Sequence, residues 1–320
     1  VAWSPTNGLG GFAVADNGTL VYIKGSEWRV QRRVVWADRA GTEQPLLPDA
    51  GQWAEPRLSP DGRWLAITRL DPDWQIFLFD LTRRVFSQLT RSAGVSFNPI
   101  WMPDSRSVIH SVETPVYDLV RAPIDGSTAG SVMTSPYDKM ATSISPDGKT
   151  VVYHETRDRD RLVSAPVAGG AATPIEDRPT SQRNGAFSPD GRWLTFVELG
   201  ADQRPQVFVR AVGVGGGRRQ VSANGGDQPR WTRGGRELIY RNGDAFYSAS
   251  FNSSSGEVGA PVFLFRRADA GRLGGNRTIG YDVTPDGSRF VLVIPVERSE
   301  AQPMIVVLNW LAELPVKVKP

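Results

Sequence analysis

The chain has 320 residues, with 37 Lys and Arg, 34 Asp and Glu, and a formal net charge of +3. Because both signs of charge alternate along the chain, this small excess is not a concentrated basic surface, and we expect no nucleic-acid partner. The absence of Cys excludes disulfides, thiolate metal sites and cysteine nucleophiles.

A short turn sequence recurs along the chain. Its clearest copies are 59–62, 145–148, 188–191 and 284–287, and degraded copies lie at 15–18, 102–105 and 232–235. The fourth residue of each copy, here called the marker, stands at 18, 62, 105, 148, 191, 235 and 287. Pro presets the first corner of such a turn, Asp bonds the backbone, and Gly accepts a positive φ. Spacings of 43 or 44 residues, with one of 52, are typical of propeller blades.

Apolar residues flank every marker in the same phase. The residues four before and three after it are apolar in all seven copies, as at Leu58 and Leu65. Strands that are apolar on both faces predict sheets covered on both faces. Each unit predicts four short strands, which in the second unit are 55–59, 64–70, 75–81 and 85–90. At position 105, Ser replaces Gly, which predicts a strained turn or a turn of another type.

These patterns predict an all-β fold in one domain, residues 1–320. We predict a seven-bladed propeller of four-stranded antiparallel blades, with a six-bladed ring plus extensions as the alternative. The predicted blades are approximately 11–48, 54–90, 97–134, 140–176, 184–222, 228–265 and 279–311. The last blade has three evident strands, the third at 305–308, so N-terminal residues 1–3 or the competing segment 316–318 must close it. A polar, Gly-rich loop at 266–277 precedes this last blade.

The inventory of reactive residues is short. His110 occupies a slot that other units fill mostly with apolar residues, which predicts packing, and His154 stands near a strand end. Two His do not make a zinc site without further ligands. No Gly-x-Ser-x-Gly elbow occurs, and the Asp residues of the turns are explained by the turns themselves. We therefore expect no catalytic residue, no metal and no cofactor.

The loops are a better candidate for a functional site. Turns between the first and second strands of every unit share one face of the disc, called here the turn face. Loops between second and third strands, and those that join units, share the opposite face, called here the loop face. The loop face carries aromatic residues beside Arg, a composition typical of protein-binding surfaces. The candidate binding residues are Trp53, Asp73, Trp74, Tyr117, Tyr137, Arg157, Arg159, Arg204 and Arg241.

Several segments support a resemblance to a known family. They are 17–22, 56–62, 228–231, 281–287 and 306–310, and with the repeat they resemble the WD40-like propellers of the TolB type. More narrowly, essentially the whole chain resembles the C-terminal propeller region of bacterial Ser/Thr protein kinases. The resemblance implies a domain that senses or binds, on the extracytoplasmic side, in a parent protein tethered by an upstream transmembrane segment; a cytoplasmic location stays open. The Trp-Asp dipeptide of WD40 repeats is not at its expected place, which favours the TolB type.

The resulting hypothesis is a monomeric, non-catalytic module that binds a protein or a small-molecule ligand within a larger bacterial signalling protein. Kinase activity would belong to residues outside this chain, because neither His is followed by Arg-Asp and no phosphate-covering Gly loop follows a strand. No apolar run reaches the ~20 residues of a membrane span, so this chain itself inserts into no membrane. The first residue is Val and no signal sequence precedes the repeats, so we expect a processed product or part of a larger protein.

The alternative hypothesis is a propeller enzyme, either a hydrolase or a lyase, or the substrate-gating domain of a peptidase. Propellers host many functions, so the fold does not choose between the hypotheses. A cluster of His, Asp or Glu around the central channel would favour an enzyme, whereas an apolar or water-filled channel would favour a binding module.

Overall fold

Short β-strands joined by turns and loops form the part of the protein that the structure describes. The computed structural model describes residues 12–23, 30–176, 178–213, 217–268, 279–296, 304–308 and 310. The strands are β1 Phe12–Ala15, β2 Thr19–Ile23, β3 Arg32–Asp38, β4 Glu43–Pro45, β5 Trp53–Leu58, β6 Trp64–Arg69, β7 Gln75–Asp80, β8 Val85–Gln88, β9 Ser96–Trp101, β10 Ser107–Glu113, β11 Tyr117–Pro123, β12 Gly130–Met133, β13 Asp138–Ile144, β14 Thr150–Thr156, β15 Asp160–Pro166, β16 Thr173–Pro174, β17 Gln182–Phe187, β18 Trp193–Leu199, β19 Pro205–Ala211, β20 Arg218–Gln220, β21 Asp227–Thr232, β22 Glu237–Asn242, β23 Ala245–Asn252, β24 Glu257–Val258, β25 Val262–Arg266, β26 Tyr281–Val283, β27 Arg289–Pro295 and β28 Met304–Val307. The predicted all-β fold class is confirmed.

Six antiparallel sheets form the body of the propeller. Sheet 1 contains β5 to β8, sheet 2 β9 to β12, sheet 3 β13 to β16, sheet 4 β17 to β20 and sheet 5 β21 to β25; sheet 6 has the order β26-β27-β3-β4. The first strands of these sheets contact one another in the order β5, β9, β13, β17, β21 and β26, and β26 returns to β5. The six sheets therefore close into a ring, and their first strands are the innermost.

Apolar side chains fill each junction between neighbouring sheets. Six clusters of buried residues occur among the described residues, one at each junction of the ring. Alternation along one strand supplies two junctions at once: on β27, Val291 and Val293 face sheet 1, whereas Leu292 and Ile294 face sheet 5. This confirms the prediction that strands apolar on both faces lie in sheets covered on both faces.

Ring closure differs from the predicted boundaries in the first and last units. Sheet 6 is completed by β3 and β4, with Val35 opposite Leu292 on β27. The predicted third strand of the last unit, 305–308, instead falls largely on β28, which pairs with β2 and places Val306 opposite Val21. The predicted blade 11–48 is therefore divided between two sheets, because β27 offers its free edge to β3.

The remaining strands, β1, β2 and β28, form a separate three-stranded sheet. With it the sheets of the described residues number seven, as many as the predicted units, and the ring of six matches the alternative of a six-bladed propeller with extensions. Residues 1–3 and 316–318, the predicted closing segments, lie outside the described residues, as does most of the loop 266–277. No helix in the described part of the chain is long and apolar enough to span a membrane.

The recurring turn is held by a fixed set of hydrogen bonds. In the copy at 59–64, the Ser59 hydroxyl donates to Asp61 Oδ1 at 2.5 Å, the Arg63 amide donates to the same oxygen, and the Trp64 amide donates to Ser59 Oγ. The copies at 145–150, 188–193 and 284–289 repeat this pattern. The turn role predicted for these Asp residues is thus confirmed. In the copy at 284–289, hydrogen bonds from Thr284 and Ser288 lower the pKa of Asp286 to about 2.

Ser105 shows what happens where the marker is not Gly. Its φ is 58°, close to the 71° of Gly62, so the turn keeps its type and the serine carries the strain. Its hydroxyl accepts a hydrogen bond from the Asp61 amide of sheet 1, which ties two neighbouring turns together.

Substitution of the marker glycines measures how tightly neighbouring turns pack. Gly62 and Gly191 share a φ of +71°, but a Cβ on Gly62 would meet no atom within 4 Å, whereas one on Gly191 would lie 3.3 Å from Pro146 Cδ of sheet 3. We expect Gly62→Ala to lower the free energy of unfolding by about 1 to 2 kcal/mol, the backbone cost alone. Gly191→Ala should cost more, because the turns must also separate. Equal losses in a denaturant titration would contradict this packing.

Candidate functional site

The loop face carries a line of aromatic rings that crosses sheets 1 and 2. Trp74 precedes β7 and Tyr117 begins β11, and both rings are half-buried. Both pack edge-on against Phe97 of β9, with centroid distances of 5.8 Å for Trp74 and 4.9 Å for Tyr117. Since Phe97 is 2% exposed, it forms a rigid base beneath the two accessible rings.

The line continues onto sheet 3 through a hydrogen bond between the Tyr117 backbone and the Asp138 side chain. Asp138, the first residue of β13, accepts a hydrogen bond from the Tyr117 amide at 2.9 Å. The neighbouring Tyr137 lies under the guanidinium of Arg157, which is 4.4 Å from the ring centroid. Arg157 Nε donates a hydrogen bond of 2.5 Å to Glu155 Oε1, and this bond raises the pKa of Arg157. We call Trp74, Tyr117, Tyr137 and Arg157 the loop-face cluster.

A buried lysine supports the segment that presents Tyr137. The side chain of Lys139 is 0% exposed and its Nζ lies 2.9 Å from Asp118 Oδ1. The same ammonium donates to the carbonyl and hydroxyl oxygens of Ser135, each at 3.0 Å, and to the carbonyl oxygen of Tyr137. Lys139 therefore joins the connection between sheets 2 and 3 to strand β11, and it fixes the backbone on which Tyr137 stands.

Two of the other predicted site residues adjoin this cluster, and the rest lie apart from it. Asp73 is exposed next to Trp74, and Arg159 lies in the same loop as Arg157, where its guanidinium donates hydrogen bonds to Asp158 and to the Arg178 carbonyl oxygen. Arg204 lies on sheet 4, where it is exposed and within 3.7 Å of Asp202. Arg241 is buried in sheet 5, with its guanidinium 5.7 Å from the Phe246 ring centroid.

Trp53 lines a separate cavity. It is 7% exposed, stacks on Phe86 at 5.2 Å, and has Arg69 over its ring. These three side chains, with Asp71 and Phe77, line a cavity of about 340 Å³ beside sheet 1. Trp53 is therefore part of a cavity wall and does not belong to the loop-face cluster.

Sequence reasoning missed a recurring residue on the inner strands. Glu55, Asn98, Asn184 and Gln228 stand seven residues before their markers and have φ between 53° and 56°. Their side chains hold the next sheet: Glu55 accepts from the Asn98 amide at 2.6 Å, and Gln228 accepts from the Gly280 amide at 3.4 Å. The signal was present as a Glu, Asn or Gln before Pro or Gly in four units.

Neither histidine lies on the loop-face cluster. His110 is 3% exposed and burial lowers its pKa to about 4, so it is neutral at pH 7, and His154 is 1% exposed. His110 therefore packs at a buried position that other units fill mostly with apolar residues. Across the described ranges, no group of three or more His, Cys, Asp or Glu side chains is placed to hold a metal ion.

Comparison with known proteins identifies the fold. A putative TolB from Agrobacterium tumefaciens superposes with a TM-score of 0.66 at 18% identity, covering 84% of this chain and 99% of that one. The fold is a TolB-like β-propeller. A chain of the nidogen/laminin complex gives 0.55 at 12% identity, covering 74% and 94%. An oligogalacturonate lyase in complex with manganese gives 0.54 at 14% identity, covering 90% and 96%. No protein-family model and no curated sequence matches the chain.

At these identities the likeness concerns the fold alone. The neighbours include an enzyme and, separately, a chain from a complex of two proteins. The shared architecture is therefore compatible with both catalysis and binding. The function therefore depends on the residues that the propeller displays.

Proposed function

We propose that this protein is a non-catalytic binding module whose loop-face cluster recognises a segment of a partner protein. One observation carries the proposal. Half-buried aromatic rings and an exposed arginine form a row across sheets 1, 2 and 3, and buried residues pack beneath them. Rings and guanidinium groups that are rigid before binding lose little side-chain entropy when a partner covers them.

The chemistry of the cluster indicates the kind of partner. Trp74 and Tyr117 offer apolar ring surface to an apolar side chain, and Arg157 adds a cationic group at one end. Burial, and then the nearby Glu113 and Asp138, raise the pKa of Tyr117, so its hydroxyl group stays protonated and can donate a hydrogen bond to a partner. A partner segment with an apolar side chain and a carboxylate fits this arrangement best.

The wider setting follows from the sequence resemblance alone. We propose that the propeller is the monomeric sensing part of a larger bacterial signalling protein, such as a Ser/Thr kinase, and that it lies on the extracytoplasmic side. The full-length gene product tests this proposal, because a kinase domain followed by a membrane span upstream of Val1 is the expected arrangement.

The loop-face proposal is tested by substitution. The immobilised protein captures partners from an extract of its source cells, and bound proteins are quantified for Trp74→Ala, Tyr137→Ala and Arg157→Ala. Each substitution at a binding hot spot should cost about 2 kcal/mol or more, which weakens the affinity for a purified partner roughly thirtyfold. The expected result is loss of the same partner in all three variants.

Two matched variants control for general effects. Trp64→Ala removes another half-buried tryptophan, on the turn face, and Arg204→Ala removes an exposed arginine of the loop face outside the cluster. Both should retain the partner. Unchanged capture by the three cluster variants, or equal loss in the two controls, would count against the loop-face cluster as the binding site.

A further inference from the structure

Charged residues occupy one register position on three consecutive inner strands. Five residues before the marker stand Arg57 on β5, Arg230 on β21 and Asp282 on β26, whereas sheets 2, 3 and 4 have Ile100, Ser143 and Ala186 there. Since β21, β26 and β5 are neighbours in the ring, the two arginines approach Asp282 from either side. The three charges therefore meet on one side of the innermost layer of the propeller.

The contacts of this group are only partly complementary. Asp282 accepts a hydrogen bond from the Leu58 amide through Oδ2 at 2.8 Å, and its Oδ1 lies 3.3 Å from Arg230 Nε without hydrogen-bond alignment. Arg57 directs Nη1 to carbonyl oxygens, at 2.7 Å for Pro56, 3.4 Å for Ile279 and 3.5 Å for Tyr281. Both arginines are buried, at 6% and 9% exposure.

Several guanidinium donors remain without an acceptor. Arg57 Nε, Arg230 Nε and Arg230 Nη2 are buried and have no hydrogen-bond partner among the described residues. Buried donors of this kind are costly, and nearly all of them in folded proteins are paired with protein, water or a ligand. Two arginines therefore offer three buried donors around a single carboxylate.

Glu55, the other carboxylate near Arg57, does not fill its open donor. Burial, and then the nearby charge of Arg230, lower the pKa of Arg57 to about 9. Glu55 is close enough to attract Arg57, but its Oε2 is occupied by the Asn98 amide and the Thr68 hydroxyl, and burial raises its pKa. Arg57 Nε therefore stays without an acceptor among the described residues.

We propose that the inner layer of the propeller binds an oxyanion, a carboxylate or a phosphate group, between Arg57 and Arg230. An oxyanion accepts hydrogen bonds from several N–H groups at once, which matches the donors left open here. This site lies on sheets 1, 5 and 6, apart from the loop-face cluster of sheets 1 to 3, so either can fail without the other.

Calorimetric titration of the whole chain in chloride-free buffer tests the site. Three probes are used: inorganic phosphate, an acetylated tripeptide with a free C-terminal carboxylate, and the same tripeptide amidated. The expected result is saturable binding of phosphate, of the carboxylate peptide, or of both, and none of the amidated peptide. Binding of one anion only assigns the class of oxyanion and supports the site.

Variants of the two charge types give opposite expectations. Arg230→Gln keeps a polar side chain but removes the guanidinium charge, and should weaken anion binding about tenfold or more. Asp282→Asn keeps an acceptor for the Leu58 amide and removes the competing carboxylate, so it should bind the anion several-fold more tightly. Arg204→Gln, on the exposed loop of sheet 4, should bind as the unsubstituted protein does.

Because the two variants are expected to change the affinity in opposite directions, the test remains decisive if one of them folds poorly. A variant that has merely lost structure cannot bind more tightly, so a gain of affinity in Asp282→Asn supports the site independently of Arg230→Gln. If neither phosphate nor the carboxylate peptide binds saturably, the proposal is overturned. Equal affinity of a folded Arg230→Gln and of Asp282→Asn overturns it as well.

Discussion

Replacing Val34 by aspartate is expected to lower the free energy of unfolding by about 4 kcal/mol or more, since it buries a charge without a partner. Val34 is 1% exposed on β3 and packs in the cluster between sheets 6 and 1. Its carbonyl oxygen also accepts hydrogen bonds from the amides of Leu46 and Leu47, which leaves the strand little room to move. Denaturant titration, or loss of soluble folded protein, measures the effect.

The matched control is the same change at Val306. This residue lies on β28 and is 55% exposed, so Val306→Asp should cost about 1 kcal/mol or less. The comparison tests ring closure directly, because the sequence predicts the segment 305–308 as the third strand of the last unit. A larger loss for Val306→Asp than for Val34→Asp would contradict closure through β3.

Replacing Lys139 by methionine is expected to lower the free energy of unfolding by about 3 to 5 kcal/mol, the usual cost of removing one partner of a buried ion pair. The substitution leaves Asp118 without its cation and three oxygen atoms of residues 135 and 137 without their donor. Because Tyr137 stands on this segment, the variant should also lose affinity at the loop-face cluster.

Two further variants separate charge loss from general damage. Lys149→Met alters an exposed lysine at the turn face and should change stability by about 0.5 kcal/mol or less. The double variant Lys139→Met with Asp118→Leu removes both charges and should recover part of the loss, since no unpaired buried charge remains. If Lys139→Met were as stable as Lys149→Met, the buried pair would not hold the connection between sheets 2 and 3.

Local sequence signals suffice to place the strands and turns of a single unit. In the second unit the predicted strands 55–59, 64–70, 75–81 and 85–90 correspond to β5 to β8 within two residues at each end. The Pro-Asp-Gly turns fix the hairpins locally, and the pleat makes alternate residues share a face. A residue-by-residue pattern therefore carries enough information for strands, turns and covered sheets.

The candidate site was less accessible to such reasoning. Trp74, Tyr117, Tyr137 and Arg157 come together through Phe97 and Asp138, which belong to other strands, whereas Trp53 and Arg241 are buried. All six of these site residues are plausible loop-face residues by position in the repeat. Their exposure depends on how the next sheet covers each strand end, and no local pattern records that.

By itself the sequence determined an all-β propeller of repeated four-stranded units, since turn chemistry and two-sided apolar strands act within one unit. Only the tertiary structure decided that β3 and β4 complete sheet 6 and that β28 pairs with β2. Segments 34–36 and 305–308 are both apolar and suited to a third strand. Which of them takes the free edge of β27 depends on closing a ring across some 250 residues, where packing against sheets 1 and 5 outweighs local preference.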